Sequence, residues 1–391
     1  MWSDKKYVNI IIDVLLFLVG INFSHYGQLM LPVICLILFI DNKFRFEVND
    51  IRIFVILCLF GISFCYFAYT DGFYCVMGFC LPMAYYIGSN LKSPSEENIR
   101  KLIFLFAFSM GCHVVLNSVF ELAVHGTHGF FLSSTHYDVW TREKISNTTT
   151  AVNIDLLIAC LYYLLWHEKN RKTKIACLTV FALAMFYCVV IGRRTPVLLL
   201  VILFMFSFIF ESIVYRKADQ RIKKAVLISI AAAAAMLIGI ILFYSFDLFG
   251  CREFLDNLNI IIKFKNGIVD NSRISYYFGA IKLMPKYMFG GRKISSELGG
   301  FVHDFGLDIY DYAGIVPYFF IAIYSLCFAY VALKVFMNKH IDNKAMLLSV
   351  FICIIIQMFI EPVMSGSTIF LICSIIIEAS IERMLKENEG K

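Results

Sequence analysis

At 391 residues, with 60% hydrophobic, 16% aromatic and only 16% charged side chains and a mean hydropathy of +0.75, the chain is too apolar for an ordinary soluble domain. The net charge of +6 is not gathered into a basic patch with interleaved aromatics, which argues against a nucleic-acid partner. Thirteen cysteines without a CxxC pair point to neither a disulfide framework nor a zinc site, and there is no P-loop, internal repeat or low-complexity linker.

Apolar stretches of about 17–25 residues cross a bilayer as helices, and the chain divides into about twelve of them. In chain order they fall near 7–23, 28–40, 53–69, 72–89, 102–122, 152–166, 175–192, 197–215, 225–244, 313–333, 345–361 and 367–382. Lys5 and Lys6 precede the first stretch and no small-residue cleavage site follows it, so it reads as a signal anchor. With the N-terminus placed inside and the spans alternating, every inside connection carries Lys or Arg and most of the positive charge lies there. The pattern predicts an all-α polytopic integral membrane protein, a single transmembrane helical domain over 1–391, with both ends cytoplasmic. The long connections 123–150 and 245–312 then face outward. The positive net charge is mostly topology.

Ionisable residues in or beside a span are costly and therefore point to function. Four places hold them. In IGRRTPVLLL, Arg193 and Arg194 end one span on the outside and Pro196 opens the next. Two outward arginines run against the positive-inside trend. Their planar donor forks suit phosphate oxygens and a helix start supplies free amides, so a diphosphate fits there, with snorkelling to lipid headgroups as the plain alternative.

The second place is DNSRISYYFGAIKLMPKYMFGG, residues 270–291, where apolar residues from Ile274 to Met284 recur at helical spacing. Ser272 serves as a cap, Arg273 sits in the first turn, and Gly290 and Gly291 close the segment. This predicts an amphipathic helix along the outer membrane surface. A cation in the first turn opposes the helix dipole, a hint that Arg273 serves a ligand; solvated charges on an interfacial helix are the alternative.

Third, VHDFGLDIYDYAGIVPY, residues 302–318, puts His303, Asp304, Asp308 and Asp311 directly before a span. On a helix Asp304 and Asp308 share a face and His303 and Asp308 do not. A histidine there can take a proton from a hydroxyl while a carboxylate orients it; a solvated loop histidine is the alternative. HDxxxD also holds metal-ligand residue types, but one histidine without a second cluster at fixed spacing leads to the expectation of no metal and no cofactor. Fourth, Glu361 and Pro362 end a span at the outer face, where the carboxylate could pair with an arginine or bind a sugar hydroxyl, or simply stop a helix. All four places fall on one predicted side of the membrane.

Taken in order, these motifs resemble the bacterial O-antigen polymerases of the Wzy type and, more broadly, the O-antigen ligase/polymerase superfamily. Arg194-Thr195 matches the family's SRT-like span end, with Arg193 in place of a small residue. SRISYYFGAIKLMPKYMFGG matches its SR, aromatic helix and P..GG-like ending in the large periplasmic loop, and HDFGLDIYDYAGIVPY its HN..LD....GIIPF segment, with Asp304 where Asn is common. Glu361-Pro362 matches a frequent EP. The likeness is concentrated in 190–200 and 270–365.

The resemblance implies a metal-independent glycosyltransferase of the bacterial inner membrane that moves a growing glycan from undecaprenyl diphosphate onto a newly flipped lipid-linked repeat unit. Its partners would be undecaprenyl-diphosphate-linked oligosaccharides, membrane lipid, and the flippase and chain-length regulator of the same pathway, with no nucleic acid. Arg194 and Arg273 are then expected to stabilise the diphosphate leaving group and His303 to act as general base. Arg193, Arg292, Asp308 and Glu361 are expected to orient or bind the sugars. One base without a nucleophilic carboxylate points to inversion at the anomeric carbon. Two rivals stand beside this reading: the related ligase, which transfers finished glycan to lipid A-core, and a transporter or flippase. A transporter is expected to show related halves and helices broken at the membrane midplane. Here polar residues inside spans are few: His113, Asn153 and Asp155, which read as bundle contacts.

Overall fold

A computed structural model describes residues 5–68, 72–91, 94–132, 136–145, 147–214, 224, 245–246, 271–300 and 303–389. The span expected near 225–244 and the part of the long loop from 247 to 270 lie outside the described residues. Apart from one antiparallel pair of two-residue strands, β1 (His136–Tyr137) and β2 (Lys144–Ile145), the regular structure described is helical.

The chain forms two compact units, one of residues Met1–His113 and Asp270–Lys391 and one of residues Val114–Val269. The first holds α1 (Lys5–Gly20), α2 (Met30–Asp41), α3 (Ile51–Phe67), α4 (Gly72–Asn90) and the N-terminal part of α5 (Glu96–Leu132). It also holds the seven described helices after the long connection: α10 (Asn271–Leu283), α11 (Lys293–Leu298), α12 (Phe305–Ala313), α13 (Ile315–Met337), α14 (Lys344–Ile360), α15 (Val363–Gly366) and α16 (Thr368–Glu389). In it α4 packs between α3 and α16, and α13 packs against α3, α12, α14 and α16. Close packing of α4 on α16 requires a glycine, because a Cβ at Gly88 would lie 2.4 Å from the Ile376 carbonyl oxygen. The second unit holds the rest of α5, the strand pair, α6 (Asn147–Val152), α7 (Asp155–Trp166), α8 (Arg171–Val190) and α9 (Thr195–Ile209). There α7 is the interior helix, buried on nearly every residue, and α8 and α9 pack on it with most of their own surface outward.

Among the described residues five helical segments are long and apolar enough to cross a membrane: Glu96–Thr127, Thr149–Trp166, Arg171–Val190, Thr195–Ser212 and Ile315–Met337. Four shorter apolar helices, Tyr7–Gly20, Gly27–Asp41, Ile51–Phe67 and Lys344–Ile360, accompany them. The surfaces of the long helices are themselves apolar: Phe186, Leu198, Val201, Phe319, Leu326 and Leu333 are all exposed. Water disfavours such faces and lipid does not, which is the physical mark of a membrane protein.

Several boundaries differ from the sequence expectation for identifiable reasons. The span expected at 102–122 belongs to a helix that runs to Leu132, bent where Gly126 takes a φ of 65°. Glu121, one residue before the expected end at 122, is buried, and the helix continues past it. The span expected from 313 divides at Gly314, whose φ of 84° ends α12 and lets α13 start in a new direction. His113, Asn153 and Asp155 are buried, and each is engaged by neighbours.

Candidate functional site

Around α12 the first unit gathers most of the ionisable residues that the sequence placed at the mouth of a span. Asp304 is the N-cap of α12: its backbone is extended, and its side chain accepts the Leu307 amide at 2.8 Å. Burial pushes the Asp304 carboxyl above the ordinary carboxylate range, against the pull of the Leu307 and Gly306 amides and with Asp308 adding to the rise. Cap geometry is the first answer to why an acid stands at this helix start.

The helix is seated on a small core of Ala280, Ile294, Leu307 and Tyr310, with Leu283, Met284, Tyr287, Leu298 and Tyr318 packed against it. These residues tie α10, α11, α12 and the start of α13 into one block. The Tyr310 hydroxyl donates to the Met284 carbonyl at 2.6 Å and its ring meets Tyr318 edge-on. Between α10 and α11 the chain makes a glycine turn at Gly290 and Gly291, with φ of 70° and 79°. There the Gly291 amide donates to the Tyr312 carbonyl at 2.9 Å and the Arg292 amide to the Asp311 carbonyl at 2.8 Å.

That turn delivers Arg292 to α12. Its Nη1 donates to Asp308 Oδ1 at 2.8 Å and lies 3.6 Å from Asp311 Oδ2, while the guanidinium sits 3.8 Å from the centre of the Tyr312 ring. Burial works against the charge on Arg292, but Asp308, Tyr312 and Asp311 outweigh it and hold the guanidinium more firmly protonated than usual. Asp311 completes the network by accepting the Ile294 and Ser295 amides at 2.9 and 3.2 Å, with the Ser295 hydroxyl donating to its other oxygen. One acid on α12 therefore caps the start of α11. No role was expected of Asp311 from sequence, although Asp308 and Asp311 stand three residues apart on one helix face, with a GGR turn at 290–292 to supply the partner.

His303 precedes the cap with its side chain 33% exposed, and its Nδ1 lies 3.8 Å from Oε2 of Glu361, which is 2% exposed. That separation is within ion-pair reach and too long for a direct hydrogen bond. Glu361 is held there because α14 ends on it: its amide still donates to the Gln357 carbonyl at 3.0 Å, its own backbone is extended, and Pro362 prevents another helical turn. Since α12 packs against α13, α14 and α15, His303 and Glu361, far apart in sequence, meet there.

The other predicted residues are placed as follows. Arg273 falls in the first turn of α10, which begins at Asn271, and its side chain lies outside the described residues. Arg193 and Arg194 belong to the second unit, in the turn between α8 and α9, where both are half-buried. Gly192 takes a φ of 72°, the Arg193 amide donates to the Cys188 carbonyl at 2.8 Å, and Arg194 is the N-cap residue of α9, with Pro196 in its first turn. The second unit also contains a pair that the sequence reading did not single out, His136 Nδ1 at 3.9 Å from Glu121 Oε1, both buried.

Among the described residues no group of three or more His, Cys, Asp or Glu could hold a metal ion, and all the cysteines are free thiols. A cavity of about 1270 Å³ in the first unit lies elsewhere, where Glu96, Arg100, Lys334, Lys339 and Glu387 surround it, and none of the residues discussed above lines it. No protein-family model matches the chain, and no curated protein matches it. Fold and site together define a helical protein with five potential membrane spans among the described residues and a charge network built on a helix start.

Proposed function

We propose that the protein is a surface-polysaccharide polymerase of the O-antigen type, an inverting glycosyltransferase working at the outer face of the bacterial inner membrane without a metal. The observation that carries this reading is His303, part-exposed at the start of α12, with the buried Glu361 facing its Nδ1. A carboxylate facing Nδ1 leaves Nε2 as the nitrogen that takes a proton. Catalytic contacts commonly tighten once a substrate is bound, and the 3.8 Å separation is within reach of such a change.

In the reaction, a sugar hydroxyl of the new lipid-linked repeat unit attacks the anomeric carbon of the growing glycan. The new C–O bond forms as the bond to undecaprenyl diphosphate breaks, and the leaving diphosphate keeps the electron pair. The hydroxyl proton passes to His303. Arg273 and Arg194 are assigned to the diphosphate by the sequence motifs, and Arg193 to its surroundings, because arginine forks suit phosphate oxygens. Arg292 and the buried Asp308 hold α12, and with it His303, in register, and the part-exposed Arg292 is assigned to meet the sugar.

The deciding measurement is the surface-lipopolysaccharide ladder of cells lacking the gene, complemented with wild type or with His303→Ala. Core plus a single repeat unit in the deletion, with the ladder restored by wild type alone, supports the polymerase. Loss of even the single-unit band while lipid-linked polymer accumulates means a ligase. A normal ladder in the deletion removes both and returns the transporter reading.

A further inference from the structure

A second constellation of acids lies in the first unit and takes no part in the reading above. On α16, Glu378, Glu382 and Lys386 recur every fourth residue and form one stripe, with successive side chains about 6 Å apart along the axis. Exposure rises along it: Glu378 is fully buried, the Glu382 side chain is 8% exposed and that of Lys386 39%. Lys386 Nζ pairs with Glu382 Oε1 at 2.9 Å, and the Tyr85 hydroxyl of α4 donates to Glu382 Oε2 at 2.6 Å. Glu382 is thus compensated as a carboxylate.

Glu378 is not. Its Oε2 faces the Tyr324 hydroxyl of α13 at 3.4 Å, its Oε1 is buried without a hydrogen-bond partner, and it has no ion-pair partner among the described residues. The groups that act on it are Tyr85 from α4, Tyr324 and Cys327 from α13, and Glu382 and Lys386 on its own helix, while at the start of α3 Arg52 acts on Glu382 and Asp50 on Lys386. The one cation on the stripe is already engaged by Glu382, and Lys386 also donates to the Asn49 carbonyl at 2.7 Å. An isolated buried carboxylate beside a second one costs far more than the neutral acid.

We propose that Glu378 is a proton-binding site: it is held as the neutral acid at the interior end of the α16 stripe, and it exchanges its proton with water by way of Glu382 and the exposed Lys386 end. On release the proton leaves to solvent along the stripe and Glu378 remains as a carboxylate, with no other bond made or broken. The proton keeps α16 packed on α4 and α13, because the charged form would draw water between them.

Infrared difference spectroscopy of the full-length protein in lipid nanodiscs tests this. At neutral pH the wild type should show a carboxylic-acid carbonyl band that Glu378→Gln, close in shape to the neutral acid, loses and Glu382→Gln keeps. The band should shift in heavy water, reporting exchange, and Tyr324→Phe should move it to higher frequency by removing the hydroxyl at Oε2. The proposal is overturned if Glu378→Gln removes no band, if Tyr324→Phe leaves the frequency unchanged, or if sodium ions abolish the band, which would make this a cation site.

Discussion

Asp304 does two things whose signs oppose each other. Its side chain caps α12, a contribution of about 1 kcal/mol for such a residue, yet burial raises its pKa and taxes the ionised form. An acid with a raised folded-state pKa contributes most below its unfolded pKa, and that stability is lost as pH rises through the raised value. Asparagine caps as well as aspartate and has no charge to bury. Asp304→Asn should therefore unfold at the same temperature as wild type at acid pH and at a higher one at neutral pH, whereas Asp304→Ala should lose about 1 kcal/mol at acid pH. Thermal scans in detergent across pH check both, and a neutral-pH loss in Asp304→Asn would mean that a partner of the charged form has been overlooked. The Arg292 cluster makes a further residue-scale prediction. Arg292→Ala strands the buried Asp308 and removes a partner of Asp311, costing roughly 2–3 kcal/mol, below the full value for a buried pair because the guanidinium is 28% exposed. Asp308→Asn, which keeps an acceptor oxygen for Nη1, should cost less.

Among the elements, the block formed by α10, α11 and α12 is closed by two glycines that approach each other. A Cβ on Gly290 would lie 2.6 Å from the Gly314 nitrogen and the Tyr312 oxygen, and one on Gly314 would lie 2.4 Å from the Met288 oxygen. Both also hold positive φ. Gly290→Ala should destabilise by roughly 1–3 kcal/mol and, if the proposed polymerase function holds, weaken polymer formation more than membrane insertion, since it loosens the seat of Arg292 while leaving the apolar helices intact. Polymer length and membrane-fraction protein measured on the same cells separate the two effects. This region shows what the sequence made legible. A helix within the 270–291 segment and a glycine turn at its far end were readable, because helical period and turn chemistry are local; the helix begins at Asn271, which puts Ser272 inside it, and ends at Leu283, before the turn at Gly290 and Gly291. The pairing of Arg292 with Asp308 was not, since it depends on a turn that carries the chain back by sixteen residues. The meeting of His303 with Glu361 depends on α12 packing against α14 and α15, and no spacing rule encodes that. Asp304 was noticed for its charge when its first role is a cap.

At the scale of the molecule, the apolar periods give the helices, but the orientation of each in a bilayer rests on the charged connections alone. Helix α13, of 23 residues and about 35 Å, is long enough to cross the hydrocarbon and joins the His303 end to the segment holding Lys339 and Lys344. The positive-inside pattern predicts those lysines in the cytoplasm and His303 outside. Reporter fusions that are active only in the periplasm should therefore be active when joined at Glu297 or Arg142, and inactive at Lys339 or Lys172. A periplasmic signal at Lys339 would turn α13 over and place His303 with Asp304 in the cytoplasm. The lipid-linked acceptor expected at the outer face could not then reach it, whatever the quality of the His303 and Glu361 geometry. The α16 stripe provides a second check, because Lys386 lies on the predicted inside and should be modified by an amine reagent only in opened vesicles. Agreement between fusions and labelling fixes the side of both sites; disagreement limited to Lys386 would show that α16 does not complete the crossing that its length allows.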